Sequence, residues 1–181
     1  MLLNPDSLCG NYEENYKSEF ENGTMINIQG AFSSLLSEFG FHRLFKMLIK
    51  DKAGVKANLE MLNFEIAGNI REAANRGTKI ISFAEPSAMP SLMGDHNYKE
   101  FVADYVISLF RSVENSTGNS LIHICPRCSI LLEEYGLVDV AEYCADHRDY
   151  IDILKDSDLK FVGHNCMNQK NVEKLYEIRL R

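Results

Sequence analysis

Apolar positions recur along the chain with two different periods. Met25-Ile26-Asn27-Ile28-Gln29-Gly30 reads as a β-strand. Beyond it Leu35, Leu36, Phe39, Leu44, Phe45, Leu48 and Ile49 recur at three- and four-residue spacing, and Val55, Leu59, Leu62, Ile66 and Ile70 continue the pattern up to Gly77. That spacing predicts two amphipathic helices, with Met47, Met61 and Phe64 in their core stripe. Gly77 suits the left-handed residue past a helix end, and residues 78–85 follow as a β-rich run. The cycle then repeats. Asn97 with Glu100 offers a capping arrangement for a helix to about Val113, whose apolar faces hold Phe101, Tyr105, Ile107, Leu109 and Phe110. The pattern goes on with a strand over 120–125, a short helix over 129–135 stopped by Gly136, and a strand over 139–144. A helix over 150–154, a strand over 160–164 and a last helix over 169–180 complete it.

Five strands separated by helices, with connections too long for hairpins, imply parallel pairing through crossovers and hence an α/β fold. A closed eight-stranded barrel usually needs about 250 residues, and the chain has 181. The expected architecture is therefore an incomplete TIM-barrel-like (β/α) array of about five parallel strands with flanking helices. Residues 1–23 are polar and read as an irregular lead-in, which leaves 24–181 as one domain. An array with two edges and an inner face needs cover. A homodimer, a partner carrying the missing barrel half, or the lead-in segment could provide it, and the short polar segment makes the homodimer the favoured choice.

Composition narrows the functional classes. Hydrophobic residues make up 45% and charged residues 25%, the balance of an ordinary globular protein with a sizeable core. The 19 basic and 26 acidic side chains give a formal net charge of -7, and no basic stripe stands out, so nucleic acid is not an expected partner. No apolar run is long enough to span a membrane, and the first residues lack a signal peptide's basic and apolar regions, so the reading is cytoplasmic with no membrane partner. Five cysteines then read as thiols or metal ligands rather than a disulfide framework.

Parallel α/β folds place their chemistry at the carboxyl ends of the strands. There the pattern puts Glu85 after the second strand, His123 and Cys125 at the end of the third, Cys144 at the fourth, and His164 and Cys166 at the fifth. Residues two apart on a strand share a face, so His123 and Cys125 can meet one ion, and imidazole nitrogen with thiolate sulfur suits Zn²⁺. A buried histidine beside an inert thiol fits the same two residues. Cys125 and Cys128 also form a Cys-x-x-Cys pair between a strand and a helix, the setting of a redox dithiol. Thioredoxin-like proteins place a cis-proline later in the chain, and no proline follows Pro126. His42, His96 and Cys9 read as incidental or surface residues, and Asp146-His147-Arg148-Asp149 as a solvated loop before a helix.

These residues resemble the uroporphyrinogen decarboxylase superfamily. Met25-Ile26-Asn27-Ile28-Gln29-Gly30-Ala31-Phe32 is similar to its Gly-Pro-Phe strand, with alanine in the proline's place. Ala84-Glu85-Pro86-Ser87-Ala88 resembles its Asp-Pro segment, Leu121-Ile122-His123-Ile124-Cys125 its His-Ile-Cys-Gly strand, and Val162-Gly163-His164-Asn165 its Gly-Asn strand. The resemblance runs from about Met25 to Arg181. The His-x-Cys form marks the zinc-dependent methylcobamide:coenzyme M methyltransferase branch, in which zinc holds a thiol substrate that attacks a corrinoid-bound methyl group. The resemblance implies zinc and a corrinoid as cofactors, a small thiol as substrate and a corrinoid protein as possible partner. It gives His123 and Cys125 ligand roles and makes Glu85, in place of the family's aspartate, the candidate catalytic carboxylate. A third ligand would come from Cys166, which strand order favours, or from Cys144, His164 or Glu85. The family's amino-terminal barrel strands and its late Gly-Cys-Gly strand have no counterpart in the sequence, and Pro126 replaces a glycine. A truncated relative that binds a corrinoid or a partner without catalysis, and a Cys-x-x-Cys redox protein, are the alternatives.

Overall fold

A computed structural model describes residues 25–181, so the lead-in over 1–23, and Cys9 with it, lies outside the described residues. In chain order the elements are β1 (Met25–Gln29), α1 (Ala31–Phe39), α2 (Phe41–Lys50), α3 (Lys52–Asn75), β2 (Ile80–Ala84) and α4 (Pro90–Met93). Next come α5 (Asp95–Tyr98), a π-helical turn (Lys99–Ala103), α6 (Asp104–Val113), β3 (Leu121–Ile124) and α7 (Pro126–Glu134). The chain ends with β4 (Val138–Arg148), α8 (Tyr150–Asp156), β5 (Phe161–Gly163) and β6 (Val172–Leu180). They build one six-stranded sheet in the order β1-β2-β3-β5-β6-β4, which does not close on itself.

The α/β array is as the sequence implies, but the far side of the sheet differs. β1, β2, β3 and β5 pair in parallel, whereas β6 is antiparallel to both β5 and β4. The segment expected to be the last helix is β6. Its buried residues Val172, Leu175 and Ile178 stand three apart, which imitates a helical stripe. In the strand Val172 and Leu175 join the core layer under α8 and Ile178 the layer on the other side, while the extra residues of the irregular pairing between Cys144 and Arg148 lie in β4.

Local chemistry explains the remaining boundaries. Gly40, at φ 73°, ends α1 and starts α2, so the first predicted helix is two. Gly77, at φ 87°, stops α3 as expected. The helix expected to begin at Asn97 starts at Asp95, where the Asn97 side chain donates back to the Met93 carbonyl. Glu100 is drawn away to Lys52 and Lys56 at 2.8 Å each. Phe64 is 78% exposed and not part of the core stripe, since the buried face of α3 is the one carrying Leu59, Leu62, Ile66 and Ile70.

Strand alternation divides the core into two layers. One face sends Ile81, Phe83, Ile122, Ile124 and Phe161 against the helices, where Phe110 lies 5.0 Å from Phe83 and 5.4 Å from Phe161. The opposite face carries Ile80, Leu121 and Val162, and α8 lays Tyr150, Ile153 and Leu154 across it. That helix covers part of the face that barrel closure would otherwise bury.

The turn from β1 into α1 is held from a distance. Glu85, just past β2, accepts the N–H groups of Phe32 at 3.1 Å and Ser33 at 2.9 Å, two first-turn donors with no partner inside the helix. Gly30 leaves room for this, since a Cβ there would lie 2.7 Å from the Glu85 Cγ and fall on its carboxylate. Gly30→Ala is therefore expected to expel the carboxylate and cost about 3 kcal/mol, combining overpacking with lost caps. Urea unfolding measures it, and a loss below about 0.5 kcal/mol would show that the contact does not hold the turn.

Candidate functional site

The ends of β2, β3 and β5 meet around one buried imidazole. Ser82 on β2 stands opposite His123 on β3, which in turn stands opposite Val162 on β5. His123 is 2% exposed, so both ring nitrogens need partners inside the protein. Nδ1 lies 3.1 Å from the Ser82 hydroxyl and Nε2 lies 3.0 Å from the Asn165 carbonyl. A carbonyl oxygen only accepts, so Nε2 carries the proton and Nδ1 offers a lone pair to the Ser82 O–H. Burial pushes the His123 pKa down, and the bond to Asn165 opposes that only in part. The ring is neutral.

The loop after β5 is built to present that carbonyl. Asn165 is buried, and its side chain donates to the Lys174 carbonyl at 2.7 Å, tying the loop to β6. His164 takes a positive φ of 64°, with its N–H on the Ser129 hydroxyl and its Nε2 2.8 Å from Glu133. Gly163 permits the close approach of α7, because a Cβ would sit 2.7 Å from Ser129 Oγ. Behind Asn165 opens a polar cleft of about 310 Å³ that also includes Gln169, Lys174 and Tyr176.

Tyr150 completes the surroundings of the imidazole. Its ring meets His123 edge-on with centroids 5.7 Å apart, and its buried hydroxyl has no hydrogen-bond partner among the described residues. Burial raises its pKa, with a smaller contribution from Cys166, which places that thiol near the phenol. Cys166 itself is exposed.

Cys125 extends the β2–β3 ladder by one residue, its N–H donating to the Phe83 carbonyl at 2.9 Å, and alternation keeps it on the face of His123. It is half-buried and forms the N-cap of α7. Cys128, one turn on, is buried, and desolvation holds its thiol well above the usual cysteine range.

The expected ligands are thus only partly assembled. His123 and Cys125 share a strand end, with Cys166 on the loop after the neighbouring strand. Cys144 lies near the same end of the sheet but on exposed β4, three strand positions from β3, about 14 Å at the usual interstrand spacing. It cannot share an ion with His123. His164 meets Glu133 through Nε2, while its buried Nδ1 has no hydrogen-bond partner among the described residues, and Glu85 is taken up by the α1 backbone. Among the described residues no three His, Cys, Asp or Glu side chains gather to hold a metal.

Ser82, Asn165 and Tyr150 were not singled out in the sequence as site residues. A signal existed for Ser82, a hydroxyl in an apolar strand at the alternation position facing His123. Asn165 serves through its backbone carbonyl, and Tyr150 through a helix packed across the sheet. Sequence spacing marks neither.

Two buried groups oppose each other in pH. His123, with a lowered folded pKa, stabilises the fold above its unfolded value near 6.5, and that contribution is lost as pH falls through the folded value. Glu85 does the reverse. Burial raises its pKa from 4.5 to about 7 against the lowering effect of its bonds to Ser33 and Phe32. Its contribution is present below 4.5 and lost as pH rises through about 7. The stability of the wild type relative to Glu85→Gln, in which the His123 contribution cancels, should therefore fall by about 3 kcal/mol between pH 4.5 and 8, since each tenfold change in proton affinity is worth about 1.36 kcal/mol. Urea midpoints across that range measure it. A constant difference would show that the α1 terminus keeps Glu85 ionised throughout.

No curated protein and no solved structure matches the chain significantly. The sequence model of one family, described as Uroporphyrinogen decarboxylase (URO-D), matches residues 27–171. That span takes in the end of β1, the Glu85 turn, the His123 strand and the β5 loop, and on it the chain belongs to the uroporphyrinogen decarboxylase family.

Proposed function

We propose that the chain is a zinc-dependent, methyltransferase-like member of this family, moving a methyl group between a methylated corrinoid and a small thiol. The observation that carries the reading is the state of His123. A ligating histidine commonly donates its other ring N–H to a backbone carbonyl, which fixes the tautomer and orients the lone pair. Here Nε2–H is held by Asn165, so Nδ1 is the nitrogen left with a lone pair, engaged only by the rotatable hydroxyl of Ser82. Cys125 on the same strand end and Cys166 on the next loop are the sulfur donors of the reading. An imidazole nitrogen with thiolate sulfur is donor chemistry that suits zinc.

Bound zinc would supply a positive charge that keeps a substrate thiol ionised at neutral pH. The chain's own residues do the positioning. Asn165 and Ser82 orient the imidazole, Tyr150 packs against it, and burial keeps it neutral and able to ligate. Glu85 serves in this reading by fixing α1 beside the strand ends, since both its oxygens are occupied by backbone donors. The low exposure of His123 favours a second reading, a relative that binds metal and a corrinoid or partner without turning over.

Metal analysis of the full chain tests the ligand set. The wild type and Cys144→Ser are expected to hold about one zinc each, and Cys125→Ser to lose at least about tenfold in affinity, as removal of a ligand should. Equal zinc in wild type and Cys125→Ser, or none in wild type, contradicts the reading. Loss of the cobalt–methyl absorbance of methylcobalamin on adding a thiol then separates catalysis from binding alone.

A further inference from the structure

The pair Cys125 and Cys128 has a geometry of its own, independent of any metal. Cys125 caps the nine-residue helix α7, and its carbonyl accepts the N–H of Cys128 at 2.9 Å and of Ser129 at 3.0 Å, which closes the first turn. Residues three apart in such a turn have Cα atoms about 5 Å apart by helix geometry, within the usual span of about 4.4–6.8 Å for disulfide-linked cysteines. Both cysteines are free thiols. One is half-exposed at the helix N-terminus, and the other is buried directly behind it in the core, with its thiol kept protonated by burial. An accessible attacking thiol backed by a shielded resolving thiol is the division of labour that dithiol exchange needs.

We propose that Cys125 and Cys128 form a redox-active dithiol that closes to an intrahelical disulfide by exchange with a small-molecule disulfide such as glutathione disulfide. The Cys125 sulfur gives up its proton and attacks one glutathione sulfur. The glutathione S–S bond breaks, and the released thiolate takes up the proton. Cys128 then loses its proton, attacks Cys125 Sγ and displaces the second glutathione as a thiol. Two protein thiols are oxidised by two electrons, and one glutathione disulfide is reduced to two thiols. Closure removes the one sulfur donor that shares a strand with His123, so the oxidation state of the pair would set whether that strand end can bind a soft ligand.

The full chain, treated with glutathione disulfide in the presence of a chelator and then alkylated, tests the proposal without depending on zinc. Wild type is expected to lose two alkylatable thiols and regain both with dithiothreitol. After trypsin, which cuts behind Arg127, the two flanking peptides should stay joined until reduced, with fragment spectra placing the bond on Cys128 rather than Cys144. Cys128→Ala, with a small side chain suited to a helix interior, should instead hold one glutathione on Cys125. Wild type alone suffices if that variant does not fold. The proposal is overturned if wild type ends as a stable glutathione adduct on Cys125, keeps all its thiols, or forms its bond through Cys9, Cys144 or Cys166. A chain that fails to bind zinc yet closes this disulfide would refute the metal reading and leave this one standing.

Discussion

Burying an imidazole obliges the protein to satisfy two nitrogens at once, and much of the site geometry follows from how this chain meets that demand. Ser82 and Asn165 reach His123 from either side, so one side chain joins β2, β3 and the loop after β5. An unpaired polar group at this depth would cost roughly 1–3 kcal/mol, so the three segments are constrained to keep their relative positions. The loop accepts a positive φ at His164 to bring the Asn165 carbonyl into place, and Lys174 and Ser129 hold it there. Function is proposed at this junction because it is chemically distinct from the surrounding core and its hydrogen bonds assign the lone pair to Nδ1.

A second long-range contact organises the other end of the site. Glu85 leaves β2 and grips the first turn of α1, which fixes the helix beside the strand ends. A carboxylate in that position contributes structure, since its oxygens are taken up by backbone donors. The two buried titratable groups respond to pH in opposite senses, so the pH profile of stability reflects a balance between them. Cys128, also buried, belongs to the same neighbourhood through its interaction with Glu85.

The strands over 78–85, 120–125 and 160–164 were legible because central parallel strands are buried on both faces and read as unbroken apolar runs between polar ends. Gly77 was legible because its conformation follows from its lack of a Cβ. β6 was not. Its buried residues stand three apart and imitate a helical stripe, and its strand state depends on pairing with β5 and β4, which one segment does not display. The same limit applied to Cys144. Its position along its strand was readable, but the insertion of β6 between β4 and β5 moved it sideways out of reach. His123 and Cys125 were readable as a same-face pair, whereas the partners that orient the imidazole depend on interstrand register and a backbone carbonyl.

The tautomer of His123 is the property on which the proposed site rests most directly. Long-range ¹⁵N–¹H correlation spectra of the full chain resolve which ring nitrogen carries the proton and follow it with pH. The structure requires the Nε2–H form, neutral with Nδ1 unprotonated and accepting from Ser82, and a titration midpoint below the ordinary histidine value of about 6.5. An Nδ1–H ring, or one that takes up its second proton at or above that value, would contradict both the buried hydrogen-bond set and the lone pair on which the proposed site rests.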